Sequence, residues 1–324
     1  MCYGGCFMLK RNLIPILILL LICFFIIEPA IVSEGAFKGL KIWVNNIIPY
    51  LFPMSVMANI LLQYNFLYSL FEKLSFVSNK ILKNKFALIP FFISFVAGYP
   101  SGAMTINTMS SYSRINNHEA NYLTVFTNNC SFQFIAGAVA FSMLGHFYLY
   151  KYIVVPHLLG AILLSFLIKT EPTLNSSKRV YLAPVRFHNA FSQAVLKSVT
   201  SILSVGGVIV IFSVFSSFLN FSLSAAANAI NLNIATKDII YSLLVGSLEL
   251  TNGCSIIATS GYVPIQIKLI IINFLISFSG MSVIFQTIAV TDSFDLDIKN
   301  YIFLKFVHGI ISALISIIMY VIIY

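Results

Sequence analysis

Charge is what this sequence has least of. Lysine, arginine, aspartate and glutamate make up 9% of its 324 residues, where a soluble protein carries about 25%. With 59% hydrophobic residues beside so little charge, the chain has no polar surface to offer water, and a soluble domain is excluded. Cysteine is sparse too. Cys2, Cys6, Cys23, Cys130 and Cys254 are scattered without paired spacing, and no histidine stands near Cys2 or Cys6, which argues against a zinc site or a disulfide framework. The first apolar run, Leu13 to Ile27, ends in Glu28-Pro29 without a small-x-small cleavage pattern, so an uncleaved span is expected rather than a secretory signal. Met8-Leu-Lys-Arg reads as a basic leader in its own right, which leaves the choice between Met1 and Met8 as the start open.

What is present in quantity is apolar sequence. Runs of the roughly 20 residues needed to cross about 30 Å of hydrocarbon recur along the whole chain, so the expected fold class is an all-α polytopic membrane protein in contact with lipid bilayer. The net charge of +9 is explained by where it falls. Lys10, Arg11, Lys73, Lys80, Lys83, Lys85, Lys169, Lys178, Arg179 and Arg186 occupy three short connections, which the positive-inside rule makes cytoplasmic. No nucleic acid or other polyanion is needed as a partner. The same rule puts the N-terminus in the cytoplasm and the C-terminus outside.

Some apolar runs are interrupted where a spanning helix should be continuous. In "FISFVAGYPSGAMTINTM" (92–109), Gly98, Pro100 and Gly102 follow too few residues to have crossed, so 86–114 is expected to be a re-entrant hairpin turning at Gly98–Gly102. The span 118–148 carries "TNNCSFQ" in its middle. The second half repeats the order: an apolar segment broken by polar residues and glycine (241–261), then a span broken at "SFSGMS" (277–282). Gly102 and Gly253 lie 151 positions apart, as do Ser131 and Ser282. Counting spans puts equivalent elements on opposite sides, which gives inverted repeats. The expected organisation is an extra helix (1–32), a first repeat (33–169), a cytoplasmic linker (170–186) and an inverted second repeat (187–324). It contains about seven spans and two re-entrant hairpins. Segments 33–46 and 187–198 are expected to be separate amphipathic helices, the first at the outer surface, before spans 47–69 and 199–219.

Broken helices meeting near the midplane of an inverted repeat mark a secondary transporter with its substrate at the repeat interface. Half-helix ends expose unpaired N–H and C=O groups that hold anions and cations respectively. The candidate substrate-binding residues are therefore Tyr99, Ser101, Gly102 and Asn107 at the first tip, with Thr105 beside them. Asn128, Asn129 and Ser131 follow at the first span break. Glu249, Thr251, Asn252, Gly253 and Ser255 form the second tip, and Ser279 and Ser282 the second break. These offer neutral donors; neither tip contains Lys or Arg. Glu249 is the one acid near the centre of a membrane segment, which makes it a functional candidate. Two readings stay open for it: exchange of a proton or cation, or satisfaction of N–H groups at its own helix break. His118, His146, His157, His188 and His308 are expected at membrane interfaces. Ser101 with a histidine fits no nucleophile elbow, so no enzyme is expected. No cofactor motif or metal-ligand cluster appears, and a coupling ion, H+ or Na+, stays open.

The pairs "GYPSGA" with "TNNCSFQFIAGAVAFSMLG", and "LELTNGCSIIATSG" with "FLISFSGMSVIFQTIAV", resemble the signatures of the sporulation integral membrane protein family, of the YlbJ or SpoVV type. The resemblance covers roughly residues 34–324. It places the chain beside Gate or nucleoside-recognition domain proteins, which are similar to concentrative nucleoside transporters. It implies transport of dipicolinic acid, a small organic anion, from mother cell to forespore across the outer forespore membrane. Nucleoside transport, or a non-transporting organiser role during spore formation, remains an alternative. Self-association, or association with other spore membrane proteins, also stays open. The short linker, Cys254 and Met281 depart from the family pattern.

Overall fold

The computed structural model describes residues 15–16, 18–111, 115–168, 185–229 and 233–323, all of them helix or short connection and none of them strand. The expected linker lies mostly outside these residues, as do Cys2, Cys6 and Met8.

Helix α1 (Ile18–Ile27) meets the next helix at an angle of 101°. Pro29 causes the bend: proline cannot donate to the ladder and pushes the residue before it out of the helical region, so Glu28 sits at φ −118°, ψ 58°. Helix α2 (Pro29–Ile42) continues through a π-helical turn (Trp43–Ile47) into α3 (Ile48–Leu61). The expected separate amphipathic helix at 33–46 is thus the first part of one longer helix. Helices α4 (Asn65–Lys73) and α5 (Ser75–Leu82) follow. Then come α6 (Leu88–Ala97), α7 (Ser101–Ser111), α8 (Asn117–Thr127), a π-helix (Phe134–Met143) and α9 (Lys151–Leu167). Helix α10 (Phe187–Ala229) is one piece of 43 residues, about 65 Å long at ~1.5 Å per residue. No boundary separates 187–198 from 199–219. The remainder is α11 (Ile234–Leu248), α12 (Leu250–Thr259), α13 (Ile265–Phe278), α14 (Gly280–Ala289) and α15 (Ile298–Ile323).

Among the described residues four helical segments are long and apolar enough to cross a membrane, or five if the bent pair at Glu28 counts as one. Two of the seven anticipated spans are not single long helices. Segment 47–69 ends its helix at Leu61, and 118–148 is divided at 128–131 into two short helices. Helices α6, with 10 residues, and α7, with 11, are each too short to cross.

Long helix pairs organise the molecule. The α2–α3 helix runs antiparallel along α10. Gly35 and Gly39 lie against Val214 and Ser213, so closely that a Cβ on Gly39 would stand 2.9 Å from Val210 Cα. Further along, the Trp43 indole fills the space left by Gly206 and donates to Ile202 O at 3.1 Å. Ser55, Asn59 and Ser198 bond to one another across the same pair. Behind it α9, α13 and α15 pack together. Their centre is the buried pair His157 and His308, stacked with ring centroids 5.1 Å apart. At one end of the molecule Asn107, Asn117 and Asn121 bond to the loop 292–297.

Candidate functional site

The four breaks anticipated in the sequence all interrupt helices, at 98–100, 128–131, 249 and 279. At the first, Gly98 has φ +80°, open to glycine at little cost, and the chain turns through Tyr99-Pro100 into α7. Ser101 Oγ donates back to Gly98 O at 2.5 Å. A Cβ on Gly102 would come within 2.7 Å of Asn128 Cα, so the first turn of α7 rests on the neighbouring span break. Asn128 uses its whole side chain there. Its Oδ1 accepts from Ala103 N (3.3 Å), and its Nδ2 donates to Thr287 Oγ1 (3.0 Å) and Tyr301 OH (3.2 Å).

Against this first tip stands a cation that the tip itself does not contain. Lys305, on α15 and fully buried, donates to Asn128 O at 3.1 Å and Tyr99 OH at 3.4 Å, with Nζ 5.2 Å from the centre of the Tyr99 ring. Tyr99 OH in turn donates to Ile276 O at 3.0 Å. No carboxylate lies within salt-bridge distance of Lys305 among the described residues. An unpaired charge at membrane depth costs about 2.5–3.5 kcal/mol on insertion scales, and such residues face polar or functional space. Neither tip contains a basic residue of its own; the lysine that stands beside the first tip comes from another helix, 206 positions away. The signal for it is a lysine flanked on both sides by apolar residues, "IFLKFV".

The second tip is built differently. Glu249 lies between α11 and α12 and accepts from Thr251 N (3.1 Å) and Asn252 N (2.7 Å). It occupies the N-terminus of α12, where backbone donors and the helix dipole favour negative charge. Asn252 Nδ2 donates to Ser213 Oγ on α10 at 2.8 Å, while its Oδ1 is buried without a partner. Gly253 is a packing glycine: a Cβ there would stand 2.3 Å from Gly246 Cα on α11. At the second span break Ser279 and Gly280 have φ +73° and +72°, and the hydroxyls of Ser279 and Ser282 are buried without partners.

One cavity draws these parts together, bounded by Gly98 and Tyr99, Ser131, Glu249 and Thr251, and Gln286. A second cavity lies on the other side of Tyr99, against Ser101, α3 and α10. Asn129 Nδ2 donates to Phe126 O, and Ser131 Oγ accepts from Phe134 N, which starts the π-helix. Ser255 is half-buried on α12. Thr105 is occupied by Ser101 O. Asn107 is not at the tip: its Nδ2 donates to Asp292 Oδ1 at 2.5 Å, and its Oδ1 accepts from Ser293 N, at the exposed end of α7. There the amide bond from Asn107 holds the Asp292 carboxyl below its ordinary range.

The histidines divide. His118, His146 and His188 are exposed, but His157 and His308 are fully buried, against the expectation of interface placement. His157 Nε2 accepts from Cys130 N (3.2 Å), so in the neutral ring Nδ1 carries the proton facing Ser277 Oγ (2.8 Å). His308 Nε2 faces His157 O at 3.0 Å and donates, leaving Nδ1 without a partner. The two stand 151 positions apart, the spacing already seen at Gly102 and Gly253. That spacing is the signal by which they could have been found.

Long apolar helices, short broken helices facing one another and buried polar groups at the breaks define an all-helical integral membrane protein. No family model matches the chain, and no solved structure matches it. It is similar to the sporulation integral membrane protein YlbJ of Bacillus subtilis (strain 168), 26% identical over an alignment of 344 residues that covers 93% of this chain and 82% of that protein.

Proposed function

We propose that the protein is a transporter, not an enzyme, moving a small organic anion by alternating access between inverted repeats at 33–169 and 187–324. In this reading the chain crosses the membrane seven times, and α6–α7 and α11–α12 are re-entrant hairpins with the substrate between their tips. The observation that carries it is the contact of His157 with His308. Equivalent residues of two repeats meet only on the axis that relates them, and these two, 151 positions apart, stack at 5.1 Å. The antiparallel pairing of α2–α3 with α10 agrees, since a helix lying beside such an axis must run against its own equivalent. Contact of 107–121 with the loop 292–297 agrees with both ends being cytoplasmic.

The likeness to a sporulation protein, with the motifs at the tips and breaks, supports a Gate-type protein of the outer forespore membrane whose substrate is dipicolinic acid. A second reading has its own support. Glu249 borders the cavity between the tips, and a carboxylate there favours a neutral ligand such as a nucleoside over an anion.

Uptake of labelled dipicolinic acid and uridine, measured side by side in vesicles carrying wild type or Asn252→Ala, tests both. Dipicolinate flux that Asn252→Ala abolishes is the expected result. Uridine flux alone moves the protein to the nucleoside reading. No flux of either from correctly inserted protein ends the transporter reading in favour of a membrane organiser.

A further inference from the structure

Two cavities share the side chains of Tyr99, Leu51 and Val205 as a common wall, and their other linings differ in charge. The cavity between the tips is lined by a carboxylate, Glu249, and by no cation. The other lies between α3, the first tip and α10. Its polar lining includes Ser55, Asn59, Ser101, Ser201 and one cation, Lys197, with no carboxylate. Lys197 is an exposed residue, which puts it at the rim, and among the described residues no carboxylate lies within salt-bridge distance of it. Ser55 and Asn59 are held in place by Ser198 on α10, at 3.2 and 3.0 Å, so this wall is rigid. Beyond Tyr99 stands a second lysine, Lys305, which is buried.

We propose that this cavity, and not the one between the tips, takes the carboxylate of the substrate, with Lys197 as its counter-charge and Tyr99 as the apolar face for a planar ring. The inference rests on the transporter reading above and deepens it, dividing the site into an anion-holding side and a Glu249 side. An ammonium at the rim that pairs with a carboxylate is expected to contribute up to about tenfold in affinity, about 1.4 kcal/mol.

The test uses the full-length protein in lipid nanodiscs and in vesicles, with pyridine-2,6-dicarboxylate and uridine as probes. Lys197→Gln is expected to raise the dicarboxylate Kd and the half-saturation of uptake about tenfold, Lys197→Arg to stay within about threefold of wild type, and Lys299→Gln, in an exposed position, to change neither. Independently of any variant, the dicarboxylate is expected to protect Lys197 from reductive methylation, read by mass spectrometry. Dicarboxylate binding that Lys197→Gln leaves unchanged, or that leaves Lys197 fully reactive, overturns the assignment while transport stands. Uptake of uridine alone also overturns it and leaves the transporter reading intact. Absence of binding and flux for both probes overturns the two together.

Discussion

The two hairpin tips break their helices at places 151 positions apart, at Gly102 and Gly253, and satisfy the broken ends in different ways. The N-terminus of α12 is satisfied from within its own hairpin, by Glu249 accepting from Thr251 N and Asn252 N. The N-terminus of α7 is satisfied from elsewhere, by Asn128 Oδ1 accepting from Ala103 N, while Lys305 of α15 donates to Asn128 O at the C-terminal end of α8. The glycines follow the same division, since Gly253 seats on Gly246 of its own hairpin and Gly102 on the break of the next span. So do the far ends, where Ser260 donates to Asp238 within the second hairpin and Asn107 reaches across to Asp292. The second hairpin is largely self-sufficient, with Asn252 and Ser213 as a bond outward. The first is held by the other half of the chain. Sequence breaks at matching spacing therefore do not imply equivalent chemistry: one tip carries its own carboxyl and the other borrows a lysine.

The steepest test of this division is at the glycines. Gly253→Ala places a methyl 2.3 Å from Gly246 Cα, with backbone on both sides and nothing flexible to yield. Overpacking of this kind costs about 1–3 kcal/mol, and the upper end applies here. Gly102→Ala meets Asn128 Cα and Thr127 O at 2.7 Å and costs somewhat less. A lower melting midpoint is expected for both. Only Gly102→Ala should also loosen the bond that Lys305 donates to Asn128 O, and with it quicken amide exchange in α15. If Gly253→Ala disturbs α15 as much, the second hairpin is not self-contained.

The division also explains what could be read from sequence. All four breaks were legible because their causes are local: glycine or proline, or a run of polar residues, inside an apolar segment. Glu249 was visible for the same reason, and its capping role was one of the two readings its position allowed. Lys305 was not, because a lysine near the start of a terminal helix reads as an interface residue until packing of α15 against α8 and α13 buries it. His157 and His308 were misplaced on the same ground. Continuity of α10, and of α2 through α3, is likewise decided by partners. Each lines up against the other over its length, and Gly35, Gly39 and Gly206 make that approach close enough to carry the helix past its polar positions.

A smaller effect comes from the self-supplied cap. Replacing an N-cap acceptor by alanine costs about 0.5–2 kcal/mol, and a shorter acceptor retains most of it. Glu249→Ala is expected to lower the melting midpoint, Glu249→Asp to restore it, and Glu249→Gln to fall between, since its amide oxygen replaces one of two acceptors. Transport and its pH dependence should survive in Glu249→Gln if the residue only caps. A pH profile that flattens in Glu249→Gln while stability holds would instead make it a proton-exchanging group.

The least effect is expected where the first hairpin borrows its outer tie. Asn107 donates to Asp292, and that bond is the main cause holding the Asp292 carboxyl below its ordinary range. A carboxyl whose folded value is depressed contributes stability that is present above its unfolded value, near 4, and is lost as pH falls through the folded value. Asn107→Ala removes the cause, so its melting midpoint should lie slightly below wild type at pH 6, by about one degree. The two curves should converge as the pH drops below about 4, because protonated Asp292 gains little from Asn107 in either protein. The corresponding tie in the second hairpin, Ser260 to Asp238, closes within that hairpin, between α11 and the end of α12. Ser260→Ala should therefore leave the exchange of α13 to α15 untouched, whereas Asn107→Ala should quicken exchange in the loop 290–297. Equal effects of the two substitutions on that loop would erase the contrast between a borrowed and a self-supplied tie.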